Sequence, residues 1–325
     1  MRKYRRNLYL ALLCFLIVIV LNFFLPRLLP GNPVAYLTGF AEEDMTPAQI
    51  NFYRQALHLD EPLHRQFYHY LRSLLDGSLG YSYKKECRVS GLILSRLGST
   101  LQITLPALIL STGLGLGLGL WSGWHRGKKR DSLLSVFQIL LNTVPTFLIG
   151  LCLMILLCFQ HRIFPYAGLN SHGIPPGTPL YLLDRIHHLT LPVLTLVLAT
   201  TPSRYLLVRN TVSRAMEEKY VLYAMERGLS AGKIRRCYIL KNVAQPFLTM
   251  VGMSVSTCIG GSLVIENIFS IDGMGSLLSE AVYSLDYPLM QGILFVTTGI
   301  MVLSIVITDG ICLLIDPRVR LGETP

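Results

Sequence analysis

Charge is scarce in this sequence. Only 15% of its 325 residues are Asp, Glu, Lys or Arg, against about a quarter in soluble domains. Together with a mean hydropathy of +0.48, that scarcity excludes a disordered chain and a small disulfide-stapled secreted domain. One apolar run would suit a globular core, but several runs of bilayer-crossing length do not. Paired cysteines are missing as well. Of the seven, Cys14, Cys152, Cys158, Cys258 and Cys312 lie in apolar stretches, Cys237 in a basic one and Cys87 in a polar one. Without a Cys-x-x-Cys, neither a zinc site nor a redox pair is supported, and the thiols read as small apolar side chains. No G-x-x-x-x-G-K-[ST] occurs, because Gly127-Lys-Lys and Gly232-Lys-Ile lack the hydroxyl and the upstream glycine. The chain therefore has no P-loop for ATP.

Two further absences narrow the field. None of the eight histidines falls well inside an apolar run, and His187-His188 would point in two directions on a helix. They read as solvated outer-edge residues, so no metal site is assigned. An intramembrane hydrolase lacks a base for its nucleophile. A proton- or sodium-coupled carrier is expected to hold ionisable groups near the bilayer midplane. The apolar spans are almost free of them, with Glu266 and Asp309 at span ends.

What is present is a series of apolar segments. The first follows Arg2, Lys3, Arg5 and Arg6 and ends in Pro-Arg-Leu-Leu-Pro rather than a small-x-small cleavage site, so it reads as an uncleaved span within residues 1–29. Residues 30–98 turn polar and read as a small helical extracytoplasmic subdomain, with Thr46 and Pro47 opening one helix and Leu63 to Leu75 forming another. Residues 99–325 hold five further spans. These run from about Leu101 to Trp121, Leu133 to Phe159 (kinked near Pro145), from about Leu189 past Pro202 into Arg204 and Arg209, Val243 to Ile265, and Pro288 to Thr308. The Gly113 to Gly119 run fails the dinucleotide spacing in both registers and reads as small-xxx-small packing, Gly113 with Gly117 and Gly115 with Gly119. A net charge of +10 first suggests nucleic acid, but 19 of the 29 Lys and Arg fall in the four segments assigned to the inside. The short outer loops hold only Arg162 and Arg185. That bias orients an all-α, six-span membrane protein with both termini cytoplasmic.

The chain's organising stretch is Glu217 to Pro246, basic and set between two spans. Helix-favouring residues run to Arg227, Gly228 suits a helix C-terminus, and Ser230 caps a second helix that ends near Gln245, ahead of Pro246. This is a cytoplasmic helix–Gly–helix elbow. Met250, Met253, Ser254, Ser256 and Thr257 line part of the fifth span and are candidates for a translocation path or for plain helix packing.

The order of several short matches resembles the inner-membrane permeases of the dipeptide/oligopeptide/nickel branch of ABC importers, in the subunit class paired with a second, related permease. These are Leu29-Pro30-Gly31-Asn32-Pro33, Leu59 to Leu63, Gly77 to Tyr81, Leu191-Pro192, Glu266 to Ser270, Asp286-Tyr287-Pro288, Gln291-Gly292 and Asp316-Pro317-Arg318. In the elbow, Tyr220, Val221, Ala224, Arg227, Gly228, Leu229, Ser230, Leu240 and Asn242 are similar to the family's ATPase-coupling motif. The general pattern opens with Glu and closes with Leu-Pro. Here Leu222 and Lys241 hold those places, and the family's aromatic-Pro-Gly turn appears as Ile271-Asp272-Gly273. The resemblance implies a type I ABC importer permease fold in the bacterial cytoplasmic membrane, with coupling helices at about 217–245. It implies a second homologous permease, two cytoplasmic ATPases carrying ATP and magnesium, and an extracytoplasmic substrate-binding protein. The cargo would be short peptides or nickel and metal chelates. No catalysis and no cofactor are assigned to this chain, and no nucleic acid. The rival reading is a stand-alone secondary carrier or channel.

Overall fold

Fourteen α-helices, two π-helical segments and one small hairpin make up the main regular structure among the described residues, which in this computed structural model are 2–28, 33–38, 44–56, 58–260 and 263–315. In chain order these are α1 (Arg2–Leu28), α2 (Pro33–Thr38), α3 (Pro47–Ala56), α4 (Leu63–Leu75), β1 (Tyr81–Ser82), β2 (Cys87–Arg88), α5 (Val89–Trp124), α6 (Lys129–Thr143) and α7 (Thr146–Met154). There follow α8 (Pro179–Glu217), α9 (Lys219–Glu226), α10 (Ala231–Ile234), α11 (Leu240–Gly260), α12 (Leu263–Ile268), α13 (Met274–Tyr283) and α14 (Tyr287–Ile315). The matches at residues 29–32 and 316–318 lie outside the described residues.

Helices α5, α8 and α14 are long and apolar enough to cross a membrane, and α6 with α7 and its π-helical extension to Gln160 makes a fourth, broken pair. That pair bends by 97°, where a kinked single span was expected. The reason lies in Val144 and Pro145: Val144 has left the helical region at ψ 124°, and Pro145 at ψ 139° starts a new helix instead of continuing the old one.

Three other boundaries move. Helix α8 begins ten residues before Leu189, because Thr178 caps it by accepting from the Tyr181 N–H at 3.2 Å and Pro179 occupies its first position. Helix α5 starts at Val89 and runs through residue 98, so the polar 30–98 stretch feeds directly into a long helix. The second elbow helix does not stop at Gln245. It passes through a π-helical segment, Arg235–Ile239, into α11, with Pro246 inside. The expected N-cap at Thr46 is present as a reciprocal box, in which the Thr46 N–H donates to Gln49 Oε1 at 2.8 Å and the Gln49 N–H to Thr46 Oγ1 at 3.4 Å.

The frame is the α5–α8 pair. A glycine stripe allows the two backbones to meet, since a Cβ on Gly115, Gly119 or Gly123 would fall 2.5–2.6 Å from the Cβ of Arg204, Val208 or Val212. Gly113 and Gly117 have nothing within 4 Å, so only one of the two expected small-residue faces packs. Gly119→Val is expected to destabilise the detergent-solubilised chain by about 1–3 kcal/mol through overpacking, while Gly117→Val is neutral. Paired thermal unfolding curves check this, and equal midpoints for the two variants would count against the packing assignment.

At the N-terminal end of α5, Val89, Ile93, Met274, Leu277, Ala281, Leu289 and Ile293 form one buried cluster that seats α13 on α5 and α14. Residue 292 must be small there, because a Cβ would lie 2.3 Å from Val89 Cγ1. Asp286 closes this layer. Burial pushes its carboxyl above the usual range, opposed by the Ser82 hydroxyl and the Leu289 N–H, which both donate to it.

Candidate functional site

The elbow forms as a clasp between α9 and the helix that follows. Helix α9 ends in a Schellman arrangement: the Gly228 N–H donates to the Met225 carbonyl at 2.9 Å and the Leu229 N–H to that of Ala224 at 3.2 Å. Gly228 sits at φ +72°, the left-handed region. Ser230 takes the N-cap conformation of α10 through its backbone alone, without a side-chain bond. Val221 and Ala224 point inward, with Ile234, Ile239 and Val243, onto Val208, Val212 and Ala215 of α8. Across the clasp, Asn242 Nδ2 donates to the Tyr220 hydroxyl at 2.5 Å and to the Tyr238 carbonyl at 3.0 Å, and the two tyrosine rings stack. The other expected coupling residues face out. Arg227, Gly228 and Ser230 are exposed, Leu229 is half-buried and Leu240 is 38% exposed, beside Leu222 and Tyr223. One face of the elbow is thus fixed to the bundle while a mixed apolar and basic face is displayed.

Behind the elbow, buried charge replaces the nearly uncharged span interiors expected from sequence. Asp131, 1% exposed, receives Arg209 in a two-pronged pair, Nε to Oδ1 at 2.7 Å and Nη2 to Oδ2 at 2.8 Å. The Ser122 hydroxyl donates to the same carboxylate at 2.5 Å, and the Tyr205 hydroxyl lies 2.6 Å from Ser122 Oγ and 2.9 Å from Ser135 Oγ. This network joins α5, α6 and α8. Glu266 does the same work nearer the N-terminal end of α5. It accepts from the Thr100 hydroxyl at 2.8 Å and from the Ser276 N–H, in the first turn of α13, at 2.9 Å, where the helix dipole favours a carboxylate. The Ile271-Asp272-Gly273 turn folds back against it. The Ile271 N–H donates to the Glu266 carbonyl at 2.8 Å and Arg96 holds Asp272 at 2.8 Å.

Between the two networks lies a cavity of about 430 Å³, lined from α5, α7, α8, α11 and α12. Of the expected path residues, Ser254 lines it. Met253 is 61% exposed, Met250 is half-buried, and Ser256 and Thr257 lie outside the residues whose side chains are described. The cavity also takes in Thr104, Thr200, Arg204 and Cys258, which sequence reasoning missed. The one available signal was Arg204 itself, a cation two residues past Pro202 in an apolar helix. Lying where the fourth span runs into its basic end, it is 4% exposed inside the bundle.

The histidines divide. His188 is buried rather than solvated, bonded to the Gly168 carbonyl at 3.1 Å and to Ser171 Oγ at 3.2 Å. His58 and His69 stack at 4.4 Å, and both contact Glu61. The three side chains each offer a ligand atom within 4.8 Å of the others.

Comparison with known proteins accords with this architecture. Residues 115–321 match the family described as binding-protein-dependent transport system inner membrane component, and residues 1–104 match the N-terminal region of such membrane components. A probable peptide ABC transporter permease protein of Sinorhizobium fredii is 33% identical over 298 residues, covering 92% of each chain. A dipeptide transport system permease protein of Lactococcus lactis is 28% identical, covering 97% of this chain and 98% of its own. A probable D,D-dipeptide transport system permease protein of Escherichia coli is 30% identical, covering 94% and 93%. The chain belongs to the inner-membrane components of binding-protein-dependent transport systems: it is an ABC transporter permease, a multi-pass helical subunit that transports rather than catalyses.

Proposed function

We propose that this permease forms half of the translocation path of an importer for short peptides, and that its elbow takes up the motion of cytoplasmic ATPases. The observation that carries the reading is the elbow's two-sidedness. Val221 and Ala224 are anchored in the bundle while Tyr223, Leu222 and Arg227 stay exposed between spans, as a docking surface for another subunit requires. The peptide cargo rests on the relatives' names, peptide and dipeptide permeases, along nearly the whole chain; nothing comparable favours nickel. The full arrangement is six spans, α1, α5, α6 with α7, α8, α11 and α14, with both termini inside. Its support is the Lys/Arg bias. A second permease would complete the path, two ATPases would carry ATP and magnesium, and a substrate-binding protein would dock on the outer face.

Gly228→Val tests the lever. Nothing lies within 4 Å of a Cβ there, so the substitution acts through the backbone at φ +72° alone, costing about 1–2 kcal/mol or more for a β-branched residue. The variant is expected to insert normally and to hydrolyse ATP with its partners, but to lose most uptake, while Gly228→Asn, which tolerates that conformation, retains it. Normal uptake by Gly228→Val would refute the lever. Co-isolation with two ATPases and a second permease would exclude a stand-alone carrier, and uphill uptake in vesicles holding this chain alone would support one.

A further inference from the structure

Arg204 is a cation with no acidic partner among the described residues. Its side chain is 4% exposed, Nη1 donates to the Thr200 carbonyl at 2.9 Å, and the buried Nε has no hydrogen-bond partner among the described residues. Five residues along the same helix, Arg209 is paired on both prongs by Asp131, so the fold has the means to neutralise a buried guanidinium. At Arg204 it does not use them. No Asp or Glu lies within 4 Å among the described residues, and an uncompensated buried charge is costly in a protein interior and more so inside a membrane. A group held at that cost, deep in a transport protein, marks a place where something anionic arrives.

The surroundings say what kind of anion. The residue lines the cavity of about 430 Å³ described above, whose other polar groups are the neutral Thr104, Thr146, Thr200, Ser254 and Cys258. Its volume lies in the range of sites for small molecules, and it suits a di- or tripeptide better than a bare inorganic ion. Aliphatic lining from Ala107, Leu108 and Leu196 would accept a backbone and small side chains in any order. Arg204 is held at a set depth because Gly115 of α5 packs on its Cβ, where any side chain at residue 115 would intrude to 2.5 Å. Guanidinium edges that include Nε form two-pronged bonds with carboxylates. Every short peptide carries one carboxylate that does not depend on its sequence, at its C-terminus.

We propose that Arg204 is the way-station of the translocation path for the C-terminal carboxylate of a transiting peptide, recognising the one charged group common to all such cargo. This rests on the peptide reading above. Thr200 orients the guanidinium through Nη1, leaving the Nε edge for the carboxylate. The neutral walls keep the attraction unspecific for side chains, and a single cation keeps it weak enough for release.

The test uses the complete transporter in proteoliposomes, permease pair, ATPases and binding protein together, with alanyl-alanine and its C-terminal amide as probes. In wild type, the free acid should be taken up in preference to the amide. Arg204→Gln should assemble and show binding-protein-stimulated ATP hydrolysis, yet take up the free acid about 10- to 100-fold more slowly, the loss of one charge-assisted hydrogen-bonded pair. The amide's rate should change little, so the preference collapses. Arg204→Lys, which keeps the charge without the planar fork, should recover part of the acid's rate. Unchanged uptake by Arg204→Gln overturns the proposal, as does equal loss for acid and amide, which would mark a merely structural residue. Failure of Arg204→Gln to retain the second permease also overturns it, since the counter-ion would then be a carboxylate of that subunit. If the wild-type transporter takes up neither probe, the peptide reading itself is what fails.

Discussion

Asp131→Ala is expected to lose about 3–5 kcal/mol of stability and with it most of the folded protein in the membrane. The carboxylate is 1% exposed and receives both prongs of Arg209 at 2.7 and 2.8 Å. Its removal leaves a guanidinium with no acidic partner among the described residues, together with a Ser122 and Tyr205 hydroxyl pair that has lost its acceptor. The cost comes from the orphaned charge more than from the lost attraction, so it should be reversible by removing the other partner. Asp131→Leu with Arg209→Met is expected to regain most of the loss, because a buried ion pair replaced by apolar groups of similar volume is often neutral. Thermal unfolding of detergent-solubilised protein, with membrane yield as a second readout, measures both. A double variant no more stable than Asp131→Ala would show that the pair is not the reason for the loss.

Gly273→Val should be the next most damaging change, for a purely steric reason. The residue is extended, at φ −118° and ψ −167°, so any side chain suits its backbone. The obstacle is space: a Cβ would fall 2.5 Å from Glu266 Cδ and 2.6 Å from Thr100 Oγ1. Those two groups are bonded to each other and to the first turn of α13, Met274 N–H to Thr100 at 2.7 Å and Ser276 N–H to Glu266 at 2.9 Å. Admitting a side chain means breaking those bonds in a buried setting, about 3 kcal/mol or more when packing strain is added. Helix α13 would lift from the cluster it shares with Val89, Leu289 and Ile293. Hydrogen exchange should report this as faster exchange confined to residues 274–283, with Gly310→Val, where nothing lies within 4 Å, as the unaffected control. Unaltered protection of α13 would argue against the locking role of Glu266.

Much of the elbow was legible because its signals are local. A glycine needed at positive φ and a basic stretch between apolar runs are both decided within a few residues, and Gly228 stands where those signals put it. The misread boundaries also have local chemistry, but it competes. Pro246 is a breaker by sequence and is carried inside α11 because tertiary packing of Val243 and Phe247 holds the helix on both sides of it. Pro145 resembles a kink and becomes a 97° break because Val144 leaves the helical region before it. The relation of Arg204 to the cavity was not legible, since it depends on residues about 100 positions away in α5 and 50 away in α11.

By itself, the amino-acid order determined that this is a helical membrane protein without an engine of its own and with a basic hinge between apolar segments, since composition, periodicity and loop charge act through short-range preferences and the solvent. Only the tertiary structure decided which charges are neutralised. Asp131 meets the cation of Arg209 across 78 residues and the Glu266 carboxylate is hydrogen-bonded, not neutralised, by the Thr100 hydroxyl across 166, while Arg204 meets no acid among the described residues. Coulomb energy depends on distance and burial, and in this chain helix packing sets both.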